Sequence, residues 1–206
     1  WDNISSWDTN WQYDVFVRDM VAWVTQRASS NNSWGSGDDY SEAYQYSITP
    51  DGRYVLFHST STDLVVNDTN SLQDVFVKDM VSGVTTLVSV DSSWNISDNS
   101  SWGNTITPDG RYVLFRSYGS NLVPNDFNGN VDVFVRDMQS NTTILISASM
   151  SGATANMWSS VDWPAMTPDG KYVVFYGDSD DIVAWDTNNV EDVFVRNILS
   201  WTTALA

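Results

Sequence analysis

The residues of this chain best suited to chemistry are acidic, and they recur. Asp-x-Asn-x-x-x-Asp stands just before a Val-Phe-Val run in four places: Asp8, Asn10 and Asp14; Asp68, Asn70 and Asp74; Asp126, Asn128 and Asp132; Asp186, Asn188 and Asp192. Hard cations such as Ca²⁺ take about six to eight oxygen ligands, and short loops with oxygen donors at alternate positions supply them. One Ca²⁺ per repeat is therefore the functional expectation. The pattern departs from the best-known calcium loops, which place a third oxygen-bearing side chain at position five and then glycine. Position five here is Gln12, Leu72, Asn130 or Val190, so a site would be weak or partly hydrated. The competing reading is that Asp and Asn cap turns by bonding their own backbone, with the last Asp opening a strand.

Other chemistry is sparse. There is no cysteine, which excludes disulfides, thiolate nucleophiles and thiolate metal sites. The one histidine, His58, ends a strand where sibling repeats carry Arg116 and Tyr176, and it reads as a partly exposed surface residue rather than a general base. Asp51, Asp109 and Asp169 sit in Pro-Asp-Gly turns in every full repeat, which marks them as structural. No catalytic residue is expected, and the chain does not read as an enzyme.

The elements that must position these loops follow from internal periodicity. Asp-Val-Phe-Val begins at Asp14, Asp74, Asp132 and Asp192, and Thr-Pro-Asp-Gly at Thr49, Thr107 and Thr167. Both markers return at the same interval of 58 or 60 residues, the signature of a stacked architecture. Apolar and β-branched runs separated by turn residues predict four short strands per repeat, the clearest set at 45–49, 53–59, 73–79 and 84–90. Within Asp-Val-Phe-Val, Val75 and Val77 point one way and Phe76 the other, as a sheet covered on both faces requires. No helical apolar stripe is sustained. The expected fold is all-β: blades of four antiparallel strands set around an axis, with a β-sandwich as the alternative. The expected division is 1–42 as a half blade and connection, then blades at 43–101, 102–160 and 161–206. About three and a half blades do not close a ring, so a longer chain or an assembly is expected to complete it.

ITPDGRYVLF at 48–57, ITPDGRYVLF at 106–115 and MTPDGKYVVF at 166–175, each followed by Asp-Val-Phe-Val, resemble the blades of the TolB-like β-propeller family of six-bladed type. The resemblance covers nearly the whole chain and implies the fold. It does not imply an activity, because such propellers serve as periplasmic binding proteins, adhesion modules and accessory domains of peptidases.

Charge and composition narrow the partners. Nine Lys+Arg against 26 Asp+Glu give a formal charge of -17, which repels nucleic acid and anionic membrane surfaces. No apolar run is long enough to span a bilayer, and the first ten residues lack the features of a signal peptide. Six Asn-x-Ser/Thr sequons, at Asn3, Asn31, Asn67, Asn95, Asn99 and Asn141, are candidate glycan acceptors. The polar segments 28–42 and 91–104 read as exposed connections.

The chain holds 11 Trp, and their places are unusual. Aligned repeats set Trp23 and Trp201 opposite Gly83 and Asn141, Trp11 opposite Gly129, Trp94 opposite Gly152 and Trp163 opposite Gly103. These are turn positions that favour glycine. Three readings remain open: exposed indoles that stack on sugars, residues that are not the native ones, or gap-fillers between repeats.

Together these features predict a non-enzymatic, extracellular, surface or periplasmic scaffold. It would bind protein or carbohydrate, be stabilised by Ca²⁺, and form a homo-oligomer or filament. The alternative is an accessory propeller of a larger hydrolase or peptidase.

Overall fold

The computed structural model describes residues 11–162, 165–188 and 190–206, and among these there are strands and turns but no helix. Strands β1 (Phe16–Arg18) and β2 (Thr25–Arg27) form a two-stranded sheet. Three four-stranded sheets follow, each an antiparallel meander in chain order. The first comprises β3 (Ser41–Glu42), β4 (Tyr54–Ser59), β5 (Asp74–Asp79) and β6 (Thr85–Leu87). The second comprises β7 (Ser101–Ile106), β8 (Tyr112–Ser117), β9 (Asp132–Asp137) and β10 (Thr142–Leu145). The third comprises β11 (Ser159–Ser160), β12 (Tyr172–Gly177), β13 (Asp192–Asn197) and β14 (Thr202–Leu205). The expectation of four-stranded antiparallel units holds.

The opening strand of the first sheet differs from the predicted 45–49. It pairs at Ser41–Glu42, breaks where Tyr46 takes a φ of 63°, and meets β4 again only at the Ile48–Val55 bridge. In the second sheet the same strand runs unbroken from Ser101 to Ile106 with a register shift between Gly103 and Thr105. Gly103 lies close against the preceding sheet, since a Cβ there would stand 3.1 Å from Leu56.

Alternation along the third strand builds the core. Val75 and Val77 pack with Leu56 against Val113, Phe115 and Phe134 of the next sheet, while Phe76 faces back with Val55 and Phe57 toward Val15 and Ala28. The next seam repeats the arrangement, with Leu114, Val133 and Val135 against Val173, Phe175 and Phe194. Within each sheet two phenylalanines stack across β4–β5, β8–β9 and β12–β13 with centroids 5.6, 5.5 and 5.4 Å apart. Each fully buried Phe contributes about 2–3 kcal/mol of transfer free energy, so these seams supply much of the cohesion.

The Thr-Pro-Asp-Gly turn is also a seam element. Thr49 Oγ1 donates to Asp51 Oδ1 at 2.6 Å and accepts the Tyr54 N–H at 3.0 Å, which fixes the hairpin. Arg53 then clamps Asp79 at the far end of β5, 2.9 Å from Nη2 to Oδ2, and Arg111 repeats this with Asp137 at 2.8 Å. Gly110 has a φ of 74° and its missing side chain admits the ring of Tyr54 from the preceding sheet: a Cβ would stand 2.4 Å from that ring. Gly52 has the same backbone with open space around it. Gly110→Ala is therefore expected to lower stability by about 2–4 kcal/mol, left-handed strain plus overpacking, and Gly52→Ala by about 1–2 kcal/mol from strain alone. Urea unfolding of the two variants measures the difference, and equal losses would show that Tyr54 yields freely.

Candidate functional site

Asp74, Asp132 and Asp192 begin third strands, and Asp14, Asp74 and Asp132 are tied to the segment after the fourth. Asp74 Oδ1 accepts the Ser89 hydroxyl at 2.6 Å, and Ser89 Oγ accepts the Val75 N–H at 3.0 Å. Asp132 and Ser147 repeat this at 2.6 and 3.0 Å, and Asp14 and Ser29 at 2.5 and 2.9 Å. In that first copy Arg27, 3.3 Å away, also neutralises Asp14.

The asparagines act as turn residues. Asn70 Oδ1 accepts the Leu72 N–H at 2.8 Å while its amide donates to the Ser97 carbonyl of the next connection at 2.9 Å. Asn128 does the same with Asn130 at 2.7 Å and Ala155 at 2.8 Å, and Asn188 Oδ1 accepts the Val190 N–H at 3.1 Å. These side-chain oxygens are already engaged, so a cation at the corner would draw on the aspartates and on backbone carbonyls. Asp8 and Asn10 lie outside the described residues.

The aspartates are different. Both carboxylate oxygens of Asp68, and Oδ1 of Asp126 and of Asp186, are buried with no hydrogen-bond partner, as are Oδ2 of Asp74 and of Asp192. Asp132 Oδ2 is relieved by the Asn128 amide at 3.0 Å. Burial pushes the carboxyls of Asp68 and Asp126 up to about 6 and those of Asp74 and Asp132 up to about 7, with the first Asp of each motif adding repulsion to the second. A buried carboxylate pair with unfilled lone pairs suits a hard cation or a retained proton. Among the described residues no group of three or more His, Cys, Asp or Glu side chains gathers as a metal cluster, so each corner offers two carboxylates at most.

A second recurring group was hidden from sequence reasoning. The cation that follows Asp-Val-Phe-Val, Lys78 or Arg136, is fully buried rather than solvated. Lys78 Nζ donates to the carbonyls of Ser30, Asn31 and Gly83 at 3.1, 3.2 and 2.7 Å and to Thr85 Oγ1 at 3.1 Å; burial lowers its pKa to about 8. Arg136 bonds the Asp91 carbonyl and Thr143 Oγ1, both at 3.0 Å. Arg196 keeps the threonine partner, Thr203. Each of these cations crosses or lines a seam, and the pairing of strand-three Lys/Arg with a strand-four Thr in every repeat is the signal that could have revealed it. Segments 28–42 and 91–104 are correspondingly not free connections: Ser29, Ser30, Ser97 and Ser101 are buried in the seams.

His58 is also a correction. It is 1% exposed, beneath Tyr44 at 4.8 Å and 3.5 Å from Glu42, and burial lowers its pKa to about 4. A strand end reads as exposed until another chain segment covers it, here the one carrying Glu42 and Tyr44. The turn indoles Trp23, Trp34, Trp94 and Trp201 lie 5.4, 4.5, 4.7 and 5.6 Å from the cations Arg18, Lys78, Arg136 and Arg196. Trp163 lies outside the described residues.

No family model and no curated protein matches this sequence. Solved structures match it in fold. An oligogalacturonate lyase in complex with manganese aligns with a TM-score of 0.51 at 11% identity, over 94% of this chain and 46% of that one. This chain has the fold of a β-propeller segment. The tricorn protease aligns with the propeller segment at a TM-score of 0.51 and 14% identity, over 88% of this chain and 15% of that one. A putative TolB from Agrobacterium tumefaciens aligns at 0.48 and 18% identity, over 80% and 48%. The propeller segment thus spans about half or less of these proteins, and the likeness is one of fold alone.

The buried aspartates give the propeller a pH dependence. Their folded pKa values lie above the unfolded value of 3.8, so the stability they contribute is present below that value and lost as pH rises through about 6 to 7. In chelator, the thermal midpoint is expected to be higher at pH 5 than at pH 8, and Asp74→Asn with Asp132→Asn should flatten that slope. Thermal melts across this range check it, and a rise in stability toward pH 8 would contradict the assignment.

Proposed function

We propose that this chain is part of a non-enzymatic propeller scaffold of the periplasm, cell surface or extracellular space. Ca²⁺ at the acidic corners stiffens it, further copies of the chain join it, and its connecting loops face protein or glycan partners. The observation that carries the reading is the uncovered face of the third four-stranded blade. In the two preceding blades the seam positions are Leu56 and Val75, then Leu114 and Val133, all buried to within 1%. Their equivalents Val174 and Val193 are 42% and 45% exposed and line an open groove of about 750 Å³ with Met166, Tyr172 and Tyr176. The groove has the chemistry of the seams already filled, and a second copy offering another blade is the occupant that matches it. Such a contact joins unlike surfaces and so propagates head to tail.

The aspartate corners support the calcium component, because unpartnered buried carboxylate oxygens recur in all three full blades. Sedimentation of the purified chain should show concentration-dependent self-association that Val174→Glu with Val193→Glu abolishes while the circular dichroism of the fold is kept. A chain that stays monomeric throughout the micromolar range refutes the joining face. Separately, millimolar Ca²⁺ should raise the thermal midpoint over that in chelator, by up to about 2.7 kcal/mol of added stability at a hundredfold excess over Kd. Asp68→Asn with Asp126→Asn should reduce the shift, the Asp186 and Asp192 corner remaining, and an unchanged wild-type midpoint excludes calcium.

A further inference from the structure

Tryptophan takes the left-handed backbone here as a habit. The φ angles of Trp11, Trp23, Trp34, Trp94 and Trp201 are 62°, 59°, 63°, 66° and 58°. For an L-residue this conformation crowds Cβ against the chain, and for a bulky residue it is a true outlier. The repeats show what each position demands. The turn between third and fourth strands holds Trp23, Gly83, Asn141 and Trp201 at 59°, 77°, 57° and 58°. The position three residues before the third strand holds Trp11, Ser71 and Gly129 at 62°, 54° and 65°. The tight turn after the fourth strand holds Trp34, Trp94 and Gly152 at 63°, 66° and 84°. The backbone is the same in every described copy, and each position has glycine in at least one of them.

Nor does the surrounding structure ask for an indole. A Cβ built on Gly129 or Gly152 meets nothing within 4 Å. Trp11 and Trp23 are 82% and 66% exposed. Of the seam cations beneath the other indoles, Lys78 and Arg136 already have carbonyl and threonine partners and Arg196 has Thr203.

We propose that the protein made by its own host carries glycine at positions 11, 23, 34, 94 and 201, each codon being UGA read there as glycine. UGA differs by one base from the glycine codon GGA and by one from the tryptophan codon UGG. A UGA taken as tryptophan therefore places indoles where the left-handed backbone favours glycine. Trp102 and Trp158, which lie on or beside strands against Tyr118 and Tyr176, are outside the proposal. The rival is a lid: each of Arg18, Lys78, Arg136 and Arg196 has one indole over it, supplied from one or the other side of the seam.

Two tryptic peptides of the protein isolated from the organism that carries the gene decide between them: residues 19–27, with Trp23, and the peptide that begins at Asn197, with Trp201. Mass spectrometry is expected to show glycine at both positions, and the gene UGA at all five. Tryptophan in either peptide, or UGG at these codons, overturns the proposal. A second arm compares recombinant chains made with standard codons. The variant Trp11→Gly/Trp23→Gly/Trp34→Gly/Trp94→Gly/Trp201→Gly is expected to melt several degrees above the tryptophan chain. An equal or lower midpoint means that the indoles serve as lids and sinks the glycine assignment.

Discussion

A sheet of four short strands has two faces and can hide neither by itself. The constraint on this chain is that each sheet must be apolar on both sides and must find a neighbour on each. Asp-Val-Phe-Val meets that demand in four residues, with Val75 and Val77 turned forward and Phe76 turned back, all buried. The cross-strand pairs Phe57–Phe76 and Phe115–Phe134 show that the second strand obeys the same rule. Stability then resides in the seams, as in other repeat architectures where units interact with nearest neighbours.

Burying both faces also buries the polar groups beside them, and the propeller satisfies these by using one repeat's side chains for a neighbouring repeat's backbone. Lys78 reaches the carbonyls of Ser30 and Asn31, Arg136 that of Asp91, and Asn70 that of Ser97. These bonds matter more for what they prevent than for what they add, since an unfilled buried carbonyl costs about 1–3 kcal/mol. The acidic corners hold carboxylate oxygens that this exchange leaves unpartnered, which is why they stand out as candidate ion sites.

The repeat, the hairpin turns and the two-faced third strand were legible because each depends on residues within a few positions of one another. Thr49, Asp51 and Gly52 make their turn locally, and Asn70 and Asn128 cap theirs locally. What was not legible depends on distant segments. Lys78 follows an apolar run with nothing local to mark it as buried, yet Ser30 and Asn31, nearly fifty residues earlier, cover it. His58 is buried by the broken opening strand that carries Glu42 and Tyr44. That strand was misplaced because its pairing at Ser41 is set by β4 rather than by its own sequence.

The Arg53–Asp79 and Arg111–Asp137 clamps have no counterpart in the third full blade. There Asn197 stands in the aspartate's place, and Lys171 turns back to Asp169 on its own exposed hairpin at 2.9 Å. The two earlier blades have their first hairpin strapped to the far end of the third strand, and this one does not. The third blade's first hairpin consequently lies against its third strand without the ion pair that each earlier blade adds across the same two strands.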